Sequence, residues 1–168
     1  MESKFACSGL VEMTLKDKDG HIKEVRSIKN RIVMGGLEMM ASLLTDQTIV
    51  KPTHIACGTG TTDTDLTMTA LEAEVFRVPF DVSPSKREGN VVTFVATFLS
   101  GMPDMDICPI TEVGIFNAES GGIMFNRAKF LPVNKAKDDE LTIKWVVTVA
   151  SADDITAENI AKLGLWLK

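Results

Sequence analysis

The sequence has no tyrosine, only two histidines, two tryptophans and three cysteines, and no apolar run near the roughly 20 residues that cross a bilayer. Each shortage excludes something. Sugar-binding and antibody-like surfaces favour tyrosine and tryptophan, whose apolar faces carry a polar handle; an aromatic set of eight phenylalanines points to core instead. His21 beside a turn and His54 at a strand start do not form a zinc-ligand spacing, and neither has an orienting partner for a Ser/His/Asp or Cys/His centre. Cys7, Cys57 and Cys108, odd in number and widely spaced, read as reduced buried thiols rather than a disulfide framework. The exception is Cys7, which is near a terminus and is the candidate for a subunit-linking disulfide.

Basic charge is also scarce. The net charge is −5, and the pairs Lys86-Arg87 and Lys29/Arg31 are too short to form the basic face that phosphate backbones require. No nucleic-acid partner is expected. The opening MESKFACSGL carries charges and has the form of neither a secretory signal nor a membrane anchor, so the expectation is a soluble chain made in a cytoplasm, without a membrane partner. At 168 residues and 45% hydrophobic, the chain can bury one core, and one domain over 1–168 is expected.

The pattern along the chain is mostly that of strands. Val11, Met13 and Leu15 alternate with Glu12, Thr14 and Lys16, Asp17-Lys18-Asp19-Gly20 has turn chemistry, and Ile22 to Ile28 fits a returning strand. Between Asn30 and Thr45 the period changes: Val33, Leu37, Met40 and Leu44 predict one main helix, regular from about Leu37 to Leu44 because Gly35-Gly36 weakens its first turn. Val75 to Val82 reads as an edge or bulged strand because it contains Pro79. Asn90–Ser100, Thr111–Phe116, Gly122–Phe130 and Leu141–Val149 read as four successive strands, suggesting a meander. Residues 151–168 are expected to form a packed tail, with Leu165 and Trp166 as candidate subunit contacts. The fold class this predicts is α+β, mostly β: an antiparallel β-sandwich with the helix packed against it.

The search for chemistry is largely negative. Gly58-Thr59-Gly60-Thr61 resembles a phosphate cradle, but no Lys-Ser or Lys-Thr follows, the dinucleotide-binding spacing lacks its third glycine, and Asp63 and Asp65 would repel an anion. Asp63 and Asp65 with Glu72 or Glu74 do not match a calcium loop. Asp104 with Asp106 is the weak remaining carboxylate pair. No catalytic residue, cofactor or metal is assigned. Arg77 and Glu112 are charges beside apolar strand residues, which must be paired if buried, and they are the candidate structural ion pair.

Several segments, taken in order, resemble tailed-phage virion proteins of the tail-collar fibre and head-or-neck decoration type. They are KNRIVMGGL before the helix, IACGTGTT, LEAEVFR, ITEVGIF, NRAKFLPVNK and LTIKW, together spanning most of residues 29–150. The resemblance implies a virion building block without a catalytic centre, forming homo-oligomers and contacting other virion proteins. It also implies that Gly58, Thr59, Gly60 and Thr61 form a shaped connection at a subunit contact. A fibre would continue into a repetitive shaft, so the expectation is a collar, neck or tail-adaptor subunit held by apolar contacts and strand edges. The alternatives are a capsid-decorating or host-surface binding protein and, further off, an enzyme with an unrecognised carboxylate site.

Overall fold

The computed structural model describes residues 5–45 and 50–151. Along them run β1 (Phe5–Lys16), β2 (Ile22–Lys29), β3 (Arg31–Ile32), α1 (Met34–Ser42), β4 (His54–Gly58), β5 (Glu74–Pro79), β6 (Lys86–Glu88), β7 (Val91–Phe98), β8 (Ile107–Phe116), β9 (Met124–Ala136) and β10 (Glu140–Ser151). They form two five-stranded sheets, ordered β2-β1-β10-β7-β6 (sheet A) and β3-β9-β8-β4-β5 (sheet B). The architecture is the predicted one, a mostly β, antiparallel sandwich with one helix.

The first hairpin follows from local chemistry. Asp17 Oδ1 accepts hydrogen bonds from the backbone N–H of Asp19 and of His21, both at 2.9 Å, and Gly20 turns the chain at φ 85°. Val11, Met13 and Leu15 then face inward, as their alternation requires. Opposite them β10 contributes Ile143 and Trp145, and from sheet B come Ile55, Val113 and Ile115, all in one apolar cluster between the sheets.

Pairing differs from the meander. β8 and β9 form a hairpin in sheet B, whereas β7 and β10, the strands on either side of that hairpin, pair with each other in sheet A, with Phe98 opposite Leu141 and Phe94 opposite Trp145. The chain therefore leaves sheet A after β7 and returns at β10. Alternation shows which residues face a core, but not which strand lies alongside, and here the apolar rows of β7 and β10 match each other across the sheet.

The helix also starts earlier than predicted, at Met34, and ends at Ser42. Gly35 and Gly36 allow a close approach. A Cβ on Gly36 would lie 2.0 Å from the Phe125 carbonyl oxygen, and one on Gly35 2.9 Å from that of Met124, so α1 lies directly on the backbone of β9. The buried side therefore runs through Gly36 and Met39, while Leu37 and Leu44, placed on the apolar stripe by spacing alone, are exposed. The contact with β9 offsets the roughly 1 kcal/mol that each glycine costs in a helix interior.

Candidate functional site

Residues 59–73 connect β4 to β5 and lie over the outer face of sheet B. The register explains the room beneath them. Arg77, Ala56, Gly114 and Arg127 form one row across the sheet, and Glu74, Gly58, Glu112 and Lys129 the next. Ala56, Gly58 and Gly114 are a low floor in the middle strands, and the charged residues stand around it.

Glu112 and Arg127 are both fully buried, at 0% exposure, and Arg127 Nε donates to Glu112 Oε2 at 2.8 Å. The carboxylate also accepts three backbone N–H groups of the covering loop: Gly60 at 3.0 Å, Ala73 at 2.8 Å and Glu72 at 3.1 Å. Arg127 Nη1 donates to the Thr62 carbonyl at 2.9 Å and to Thr64 Oγ1 at 3.0 Å, and Thr111 Oγ1 donates to the Gly60 carbonyl at 2.7 Å. One ion pair thus ties both ends and the middle of the loop to β8 and β9. A buried pair justifies its desolvation only when its remaining hydrogen-bonding positions are filled, and the loop backbone fills most of them.

Gly58 and Gly60 serve this same carboxylate. A Cβ would lie 2.6 Å from Glu112 Oε1 at Gly58 and 2.4 Å from it at Gly60. Both glycines are buried inside the chain, which corrects their assignment to a subunit contact: the acid needs the space their side chains would fill. Thr59 is half-buried, and Thr61 remains exposed at the loop surface. Above the ion pair, Glu72 accepts the N–H groups of Thr61 and Thr62, at 2.6 and 2.7 Å, and the Thr62 hydroxyl at 2.7 Å. The Thr62 N–H, then its hydroxyl, hold the Glu72 carboxyl below the usual glutamate range. Asp63 pairs with Lys129 at 2.7 Å, and the Asp65 carboxylate accepts the Thr67 N–H at 2.7 Å, so the carboxylates considered for calcium are engaged in shaping the loop.

Arg77 and Glu112 are not partners, which corrects the predicted pair. β4 lies between their strands, a separation of about 10 Å at normal strand spacing. Each takes a nearer partner: Arg77 Nη2 reaches Glu74 at 2.6 Å, as Arg127 reaches Glu112. Arg77 Nη1 also donates to the carbonyls of Ala118 and Gly121, and its guanidinium lies 3.7 Å over the Phe116 ring, so it fastens the β8–β9 turn. Arg127 was legible by the rule that singled out Glu112, a charge within an apolar strand; Glu72, on a loop, carried no such signal.

The other candidates are scattered. Asp104 pairs with Lys137 at 2.6 Å rather than with Asp106. Asp17, Asp19 and His21 bring their ligand atoms within 4.8 Å of one another at the β1–β2 turn, where Asp17 already serves the turn backbone. All three cysteines are free thiols. Burial raises the Cys57 and Cys108 thiols and pushes Cys7 up to about 11, which keeps Cys7 protonated and a slow nucleophile near neutral pH. Leu165 and Trp166 lie outside the described residues. Comparison of the chain with protein-family models, curated proteins and solved structures finds no match.

Proposed function

We propose that this chain is a non-enzymatic structural subunit of a tailed-phage particle, assembling with its own copies and with other virion proteins at a collar, neck or tail position. The ordered resemblance of residues 29–150 supports the phage setting. The observation that carries the assembly reading is the use made of the buried Glu112–Arg127 pair: it holds a connecting loop in one shape, with Thr61, Thr62 and Asp63 exposed on it. A site for chemistry would aim such groups into a cleft, whereas here they face loop backbone.

The sheet edges argue for a particular kind of contact. β6 is Lys86-Arg87-Glu88, wholly exposed and charged, and β3 has two residues. β2 turns Glu24 and Arg26 toward the interior side of the sandwich, where they pair with each other and Arg26 reaches the Leu131 carbonyl. β5 is closed by Pro79 and the Arg77–Glu74 pair. These features discourage edge-to-edge pairing. Copies therefore meet through faces and loops rather than through the strand edges first expected. One such face surrounds a groove of about 330 Å³ lined by exposed Met34 of α1 and by Ile123.

Cryo-electron microscopy of the native particle tests the reading. Symmetric copies at the collar, neck or tail are expected; copies spread over the capsid lattice would favour the decorating alternative, and absence from the particle would overturn the proposal.

A further inference from the structure

Three polar side chains between the sheets have no hydrogen-bond partner among the described residues, and the register brings them together. Asn126 is fully buried, and both atoms of its amide are unpartnered. It faces the interior, because it pairs with Ile115 and is two residues from Ala128, both in the apolar cluster. Asn30 joins β2 to β3, and continuing the β3–β9 register by one residue places it opposite Ala128, diagonal to Asn126. Its amide, with neither polar atom partnered, lies against Gly9: a Cβ on Gly9 would be 1.9 Å from Asn30 Oδ1. Gly9 pairs with Val147 and is thereby diagonal to the fully buried Trp145, whose Nε1–H is unpartnered too.

Two amides and one indole N–H, contributed by the β2–β3 junction, β9 and β10, are thereby neighbours at one corner of the sandwich, where the Asn30 amide takes the place a Gly9 side chain would fill. Burying one primary amide without hydrogen bonds costs several kcal/mol by transfer from water to a medium that cannot hydrogen-bond. Burying two beside an indole N–H, in a core otherwise lined by apolar groups, is tolerated only if something supplies both donors and acceptors. Asn offers both, Trp only a donor, and no charged group is among them.

We propose that this corner of the sandwich is an internal hydration site, holding on the order of one or two ordered water molecules that bridge Asn126, Asn30 and Trp145. Water is the ligand class that fits: it is small, neutral and able to complete both kinds of bond. The site joins the end of β2, where the chain crosses from sheet A to sheet B, to β9 and β10. It acts as a polar rivet between the two sheets and deepens no part of the assembly reading.

The test is nuclear magnetic resonance on the whole chain, reading magnetisation transfer from water to the Trp145 indole N–H and the Asn126 side-chain amide. Cross-peaks to long-lived water are expected at both groups. Asn126→Leu should abolish the Trp145 cross-peak, while Asn90→Ala, which removes an exposed side-chain donor to the Val149 carbonyl, should leave it intact. If Asn126→Leu fails to fold, the wild-type cross-peaks and a high-resolution crystal structure still decide. Water within hydrogen-bond distance of Asn126 and one of its neighbours sustains the proposal; amides bonded directly to each other or to backbone, with no water contact at Trp145, overturn it.

Discussion

The β1–β2 hairpin and the loop over sheet B are shaped by the same device, a carboxylate that accepts several backbone N–H groups, yet they differ in almost every consequence. Asp17 gathers two N–H groups within five residues of chain and is in contact with solvent. Glu112 gathers three from a loop 39 to 52 residues away in sequence, and no part of it is exposed. At the hairpin, strand pairing and Gly20 would turn the chain without much help. In the loop no strand pairing specifies the path, so the acid specifies it, and burial requires Arg127 to accompany it.

Breaking each carboxylate in turn should separate the two cases. The largest effect is expected from Glu112→Gln, which keeps the shape but leaves Arg127 as an uncompensated buried charge. Urea unfolding should show a loss of about 3–5 kcal/mol, and the joint replacement Glu112→Leu with Arg127→Met should cost less than the single one. Next comes Gly60→Ala, whose new Cβ would meet Glu112 Oε1 at 2.4 Å and Glu72 Cβ at 2.5 Å. A loss of about 1–3 kcal/mol is expected from such overpacking, with amide exchange accelerated first at Thr61 and Thr62. Asp17→Asn should lower the urea midpoint by less than either, because its partners are exposed and the turn retains Gly20.

The smallest effect is a pH slope. Asp17 is held below the usual aspartate value of 3.8, chiefly by the His21 backbone N–H, and Glu72 below the usual glutamate value of 4.5, chiefly by the Thr62 backbone N–H. For a depressed carboxyl the folded state binds fewer protons than the unfolded one, so the stabilisation is complete above those usual values and is lost as pH falls through the lower folded values. Thermal midpoints measured from about pH 5 downward should fall less steeply in Asp17→Asn/Glu72→Gln than in the wild type.

The same contrast shows what could be read from residue order. The hairpin was legible because Asp17, Asp19 and Gly20 act within their own turn, and β7 and β10 because their apolar residues mark inward faces wherever the strands pair. Their mutual pairing was not legible, since it depends on a crossing between sheets that alternation does not encode. Gly35-Gly36 resembled a weak helix start only because β9, the surface they approach, is about ninety residues away. The GTGT segment resembled first a failed phosphate loop and then a contact, because the acid that requires its glycines is on β8. Arg77 and Glu112 were rightly identified as charges needing partners, but the choice between Arg77 and Arg127 rests on which strand lies between them.

Self-association is the central claim, and sedimentation velocity of the full chain over a wide concentration range tests it most directly. The account predicts a concentration-dependent shift from the 18.3 kDa monomer to a defined multiple of that mass, weakened by Met34→Asp at the groove beside α1. A single 18.3 kDa species at every concentration would contradict it.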